Sequence, residues 1–118
     1  MRVLIAEDNS ETRRMIKRVL AGPGVEFVEC SNGSEAVALY AGGRPDLVLM
    51  DIEMPILDGI NTTRQILAAD PSARIVILTS HDQPVLREAA QMAGASSYLL
   101  KENLLLLREL IEQPTPTD

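Results

Sequence analysis

Five short apolar runs punctuate the chain, VLIA (3–6), VEFVEC (25–30), DLVLMD (46–51), RIVILT (74–79) and SSYLLK (96–101), and helical patterns fill the gaps between them. Strands that alternate with helices in this way form successive βα units, whose parallel strands must be covered by helices on both faces. VLIA, LVLM and IVIL are continuous, whereas VEFVEC and SSYLL are interrupted by polar residues. A strand buried on both faces reads as continuous, so the first, third and fourth runs are predicted to be central and the second and fifth to be edges. With right-handed crossovers, that assignment predicts a doubly wound, flavodoxin-like α/β fold. Its five parallel strands run in the order 2-1-3-4-5, with five helices on two faces.

The helical segments carry their own boundaries. A first helix over about Ser10 to Leu20 is predicted to bury Ile16, Val19 and Leu20 and to turn Arg13, Arg14, Lys17 and Arg18 to solvent. A second starts near Gly33, and a third runs from about Asn61 until Pro71 prevents continuation. Pro84 suits the first turn of a fourth helix that ends before Gly94. Its core face is predicted to hold Val85, Leu86, Ala89, Ala90, Met92 and Ala93, with Arg87, Glu88 and Gln91 opposite. In the fifth, Leu104, Leu106, Leu107, Leu110 and Ile111 form the apolar stripe, and Leu105 falls beside Arg108, Glu109 and Glu112. Leu105 is therefore predicted to be exposed, in or near a dimer or output surface. Residues 1–112 are expected to form one domain and QPTPTD (113–118) a linker or disordered tail.

Seventeen acidic residues against eleven basic ones give a net charge of -6, which opposes nucleic-acid binding by this segment. The lone Cys30 cannot form an intramolecular disulfide, and the apolar run at the N-terminus is far too short to span a bilayer. A reduced, cytoplasmic location without membrane contact is the expectation.

In an open α/β sheet, ligands bind at the carboxyl ends of the strands. Those ends hold Glu7 and Asp8, Asp51, Thr79 and Ser80, and Lys101. Ionised carboxylates about 4 Å apart repel by roughly 4 kcal/mol at an effective dielectric near 20, so the cluster calls for neutralisation. Lys101 can offset one charge, and a hard divalent cation such as magnesium the rest. Its oxygen shell is expected from Glu7, Asp8, Asp51, a main-chain carbonyl near Glu53 and water. A carboxylate, a cation, a hydroxyl and a lysine together handle a phosphoryl group: Asp51 as nucleophile, Lys101 and the metal balancing charge, Thr79 donating a hydrogen bond. The acidic EDNSE loop after the first run disfavours a flavin phosphate, and the chain contains no GxxxxGK[ST] string for a nucleotide hydrolase.

ED at 7–8, LVLMDIEMPILDG at 47–59, VILTS at 76–80 and SYLLK at 97–101 resemble the motifs of the CheY-like receiver domain of bacterial two-component response regulators. The GASSYLLKEN stretch (94–103) is most similar to the NarL-type subgroup. The resemblance implies metal-binding acids at Glu7 and Asp8, the phosphoacceptor at Asp51, a switch pair in Thr79 and Tyr98, and a phosphate-binding Lys101. It also implies a sensor histidine kinase or phosphotransfer protein as donor, docked near the first helix, and a homodimer formed on phosphorylation. The chain would be a signalling phosphoacceptor that assists its own phosphorylation and dephosphorylation rather than an enzyme. A DNA-binding domain often follows such receivers. Where the family commonly has a proline after the lysine, Glu102 stands here, and a trans bond with a differently shaped loop is expected. His81, two residues beyond Thr79, is read as a loop residue near the phosphoryl position.

Overall fold

The computed structural model describes residues 1–112; the expected linker or tail at 113–118 lies outside the described residues. β1 (Arg2–Ala6), β2 (Glu26–Cys30), β3 (Leu47–Met50), β4 (Ile75–Thr79) and β5 (Ser97–Leu100) pair in parallel in the order β2-β1-β3-β4-β5. Between them run α1 (Ser10–Leu20), α2 (Gly33–Gly43), α3 (Gly59–Ala69) and α4 (Pro84–Ala93). After β5, a 3-10 segment (Lys101–Leu106) leads into the short α5 (Leu107–Glu112).

Alternation along the buried strands builds two cores. Val3, Ile5, Leu47, Leu49, Val76 and Leu78 point to α1, the 3-10 segment and α5, where Ile16, Leu20, Leu104 and Leu107 meet them. Leu4, Ala6, Val48, Met50, Ile75 and Ile77 point to the other face, covered by α2, α3 and α4. β1, β3 and β4 are buried almost throughout, whereas β2 and β5 are mostly half-buried, as continuous and interrupted runs require.

Caps set the helix starts. Asn9, Asn32 and Asp58 side chains accept from the backbone N–H of Thr12, Glu35 and Asn61. Because Asp58 caps it, α3 starts at Gly59 rather than near Asn61. Gly59 is required for a second reason, since a Cβ there would stand 1.9 Å from the Asp51 carbonyl oxygen. This close approach lets α3 begin directly beside the end of β3. At the end of α4, Gly94 takes the left-handed conformation (φ 101°) and closes the helix.

Three packing expectations are corrected. On α4, Val85 and Met92 are exposed (70% and 79%), while Ala90 and Ala93 are buried. The first two sit at the margin of the apolar stripe, where neither the sheet nor α3 covers them. On the last helical stretch Leu105 is exposed (84%) as expected, but Leu106 is also half-exposed (50%). The cause is the 3-10 winding, which advances about 120° per residue and moves Leu106 off the stripe that an α-helix would align. On α1, Arg13 and Lys17 are not free: both pair with Glu29 of β2, at 3.2 and 3.0 Å, and only Arg14 and Arg18 are left exposed without an ion-pair partner among the described residues. All peptide bonds of the described residues are trans, including the one before Glu102.

Candidate functional site

Register decides which strand ends meet. Ala6 pairs with Met50 and Met50 with Ile77, so the residues that follow, Glu7 and Asp51, emerge side by side from the central strands. Thr79 pairs with Leu100, which puts Lys101 next to the same edge. Two backbone bonds hold the exits, Glu7 N–H to the Cys30 carbonyl and Asp51 N–H to the Ala6 carbonyl, each 3.0 Å. The Arg13 guanidinium adds a third by donating to the Glu7 carbonyl at 2.7 Å.

Glu7, Asp8 and Asp51 each offer an oxygen, and the three lie within 4.8 Å of one another. Glu7 and Asp51 are buried (2% and 5% exposed), and Asp8 is open to solvent. Lys101 Nζ donates to Glu7 Oε1 at 2.9 Å and stands 3.5 Å from Asp51 Oδ2. Four of the residues singled out by sequence therefore share one pocket at the sheet's carboxyl edge.

Charge is costly in this setting. Burial, and then the neighbouring Asp51, push the Glu7 carboxyl up from an ordinary 4.5 to about 7 against the opposing pull of Lys101. Burial alone would lower Lys101, but its bond to Glu7 and the nearby Asp51 more than reverse this, so the ammonium is held above its usual range. Without a further cation the pocket contains more negative charge than one lysine neutralises. The set is all oxygen, which suits a hard divalent ion.

Thr79 is fully buried at the end of β4, and its hydroxyl oxygen accepts from the His81 N–H at 3.3 Å. The Tyr98 hydroxyl donates to the His81 carbonyl at 2.6 Å, so both groups of the expected switch pair bear on the same loop residue. His81 Nε2 in turn pairs with the Glu53 carboxylate, whose side chain is exposed. Glu53 thus sits two residues from Asp51 with its side chain bridged to the loop after β4. Arg87 went unrecognised by sequence reasoning, which placed it on the solvent face of α4. Its guanidinium lies 4.6 Å from the centroid of the Tyr98 ring and bonds Asp82 at 2.6 Å. Nothing in local sequence links positions 87 and 98, which meet only through the α4–β5 crossing.

A sequence profile of the response regulator receiver domain matches residues 3–112. CheY from Thermotoga maritima is 38% identical over 101 residues, covering 85% of this chain and 84% of that protein. CheY from Bacillus subtilis is 41% identical with the same coverage. The response regulator MprA of Mycolicibacterium vanbaalenii is 35% identical over the whole chain, which spans only 53% of MprA; the chain is thus about half the length of such relatives. Among solved structures, a LuxR-family response regulator from Aurantimonas sp. superposes with a TM-score of 0.87 at 35% identity, covering 94% of this chain and 81% of that one. The NarL signal receiver domain from Mycobacterium tuberculosis gives 0.82 at 27% identity, covering 95% and 97%. Motifs, strand order and these likenesses agree, and the chain belongs to the receiver domain family of two-component response regulators, whose known role is that of phosphoacceptor.

Proposed function

We propose that Asp51 is the phosphoacceptor of this chain, with magnesium as the metal and Lys101 and Thr79 as the groups that hold the transferred phosphoryl. The observation that supports this best is the convergence of Lys101 Nζ on Glu7 and Asp51 inside the three-acid cluster. Glu7, Asp8, Asp51 and the main-chain carbonyl of Glu53 would hold the metal. When bound, it offsets the acids' repulsion and the charge on the phosphoryl oxygens. An Asp51 carboxylate oxygen attacks phosphorus on a phosphohistidine, the P–N bond breaks, its electron pair returns to the imidazole, and an acyl phosphate remains on Asp51. Lys101 releases part of its hold on Glu7 to meet a phosphoryl oxygen, and the Thr79 hydroxyl donates to another. Hydrolysis reverses the modification when water attacks phosphorus and the Asp51 carboxylate leaves. The chain thus assists its own phosphorylation and dephosphorylation without turning over a separate substrate.

The donor in this reading is a sensor histidine kinase or phosphotransfer protein, in the cytoplasm. Among the described residues no helix is long and apolar enough to cross a membrane. Arg14 and Arg18, the free cations of α1, are the proposed contacts for the donor, and residues 1–112 act as the receiver unit. Phosphorylation would alter the surface of α4, β5, the 3-10 segment and α5, where Val85, Met92, Leu105 and Leu106 are exposed, and favour a homodimer there. A LuxR-family regulator from Staphylococcus aureus, 29% identical over 93% of this chain, is described as DNA-binding. A DNA-binding unit controlled by this receiver is the matching proposal, with no nucleic-acid contact by the segment itself.

Acetyl phosphate with magnesium should add one phosphoryl group to the intact mass, and Asp51→Asn should not gain it. Equal labelling of the two proteins would place the acceptor elsewhere. Charge reversal at Arg14 and Arg18 should slow transfer from the protein donor and leave acetyl phosphate labelling unchanged; equal slowing of both removes the docking role.

A further inference from the structure

The loop between β4 and α4 carries Thr79 into the site, and four contacts determine where it lies. Its His81 N–H donates to Thr79 Oγ1, and its His81 carbonyl accepts from Tyr98. The His81 imidazole pairs with Glu53. At its far end Asp82 bonds Arg87, and Arg87 lies over the Tyr98 ring. The guanidinium therefore touches both the loop, through Asp82, and the aromatic ring that holds the loop's middle. Tyr98 itself is half-buried and packs against the core beneath α4.

We propose that Arg87 is a positioning residue of the phosphoryl site: stacked on Tyr98 and bonded to Asp82, it fixes the phenol against the His81 carbonyl and so fixes the loop that presents the Thr79 hydroxyl. The pair with Asp82 is half-exposed on both sides, and such pairs contribute little to global stability. Its effect is local. An exposed cation–π stack is of a size that shifts a two-state equilibrium about two- to fivefold. A guanidinium suits the role, being planar, always charged and able to stack while its N–H groups remain bonded. Losing it frees the ring to leave the His81 carbonyl. The loop then samples positions in which Thr79 is not presented, and binding of a phosphoryl group weakens by the fraction of time so spent. The three acids lie outside this chain of contacts, and Glu53 joins it only through its exposed side chain, so metal binding alone changes less than phosphoryl binding.

The consequence for phosphoryl binding rests on the proposed roles of Asp51 and Thr79, but the first readout needs no phosphoryl group. The chain has two tyrosines and no tryptophan, so 3-fluorotyrosine labelling yields two fluorine resonances. Tyr40, bonded to Asp70 between α2 and the α3–β4 turn, serves as the internal reference. In Arg87→Gln the Tyr98 resonance should move toward that of solvent-exposed fluorotyrosine while Tyr40 stays in place. Affinity for beryllofluoride in saturating magnesium should fall, by at most about two- to fivefold, and by more than magnesium affinity alone. Arg87→Lys, which keeps a cation over the ring, should restore most of both. An unmoved Tyr98 resonance in Arg87→Gln overturns the positioning role, as does a moved resonance with unchanged beryllofluoride affinity. A lysine variant as displaced as the glutamine variant overturns the cation–π basis. A parent protein that binds no beryllofluoride refutes the phosphoacceptor reading, and the resonance of Tyr98 still decides whether Arg87 positions it.

Discussion

Lys101 Nζ lies 2.9 Å from Glu7 Oε1 across 94 residues of chain, and 3.5 Å from Asp51 Oδ2. One ammonium therefore ties the exit of β5 to the exits of the two central strands β1 and β3, and it does so over a buried carboxyl that resists ionisation. Removing it has a structural and a chemical effect that can be separated. Lys101→Met should destabilise the metal-free protein by only about 1–3 kcal/mol in urea unfolding, because Glu7 can take up a proton instead of staying charged and unpaired. Labelling by acetyl phosphate should slow by about 100-fold, the size seen when one charge-stabilising donor is lost. A variant labelled at the parental rate would show that Lys101 serves structure alone.

The cluster should also be stabilised by relief of repulsion. Asp8 is the exposed member, so Asp8→Asn should raise metal-free stability by no more than about 1 kcal/mol. Magnesium at about 100 times its dissociation constant should stabilise the parent by about 2.7 kcal/mol, and Asp8→Asn should lose most of that gain. Thermal melts with and without magnesium measure both. A metal-free variant that melts below the parent contradicts the repulsion argument.

Tyr40 provides a test by pH away from the site. Burial, and then its bond to the Asp70 carboxylate, push its hydroxyl from 10.0 up to about 12. The folded value lies above the unfolded one, so this contribution is complete below pH 10 and is lost as the pH rises from 10 through 12. Urea unfolding at pH 8 and pH 12 should show a loss of up to about 2 kcal/mol attributable to this group. Tyr40→Phe should be less stable than the parent at pH 8 and should lack that portion of the alkaline slope. Part of the slope should remain, because burial also pushes the Cys30 thiol up, from 9.0 to about 11. Asp70 acts at the opposite end: held low by Ser72 and then Tyr40, it stabilises above its unfolded value of 3.8 and is lost as the pH falls through the folded one. An alkaline slope identical in parent and Tyr40→Phe would rule out this assignment.

Ile56 is a β-branched residue in the left-handed region (φ 71°), in a tight turn closed by the bond from Leu57 N–H to the Pro55 carbonyl, and its side chain is 81% exposed. With little packing to lose, Ile56→Asn should stabilise the fold by about 0.5–1 kcal/mol, since asparagine tolerates this conformation. Chemical denaturation reads the sign directly, and a loss would mean that the exposed side chain contributes packing.

Leu105 and Leu107 differ sharply despite their proximity. Leu105→Asp should change stability by less than about 0.5 kcal/mol, whereas Leu107→Ala, fully buried, should cost about 2–5 kcal/mol. If the 3-10 segment before α5 lines the proposed dimer, Leu105→Asp should also weaken self-association of the beryllofluoride-activated protein in sedimentation. Parental self-association would remove Leu105 from that surface.

Strand number, strand order and the meeting of Glu7, Asp8, Asp51 and Lys101 at one sheet edge were legible in the residues, because continuous apolar runs report burial on both faces and strand ends report where polar chemistry emerges. The start of α4 is legible in Pro84, whereas α3 begins at Gly59, ahead of the expected Asn61, because Asp58 caps it. Periodicity gives the direction of a side chain and not the width of what covers it, which is why Val85 and Met92 were assigned to the core and are exposed. It also assumes one winding, and the 3-10 turn at Lys101–Leu106 broke that assumption at Leu106.

What the linear order of residues determined by itself is thus the architecture and the strand ends at which the three acids and Lys101 emerge, both consequences of local pattern repeated along the chain. Pairing was decided only in three dimensions. That Arg13 and Lys17 are taken by Glu29, that Glu53 reaches His81 and that Arg87 covers Tyr98 depend on side chains from different elements crossing at a few ångströms. Such contacts are distance-dependent and non-periodic, and no spacing in the chain encodes them.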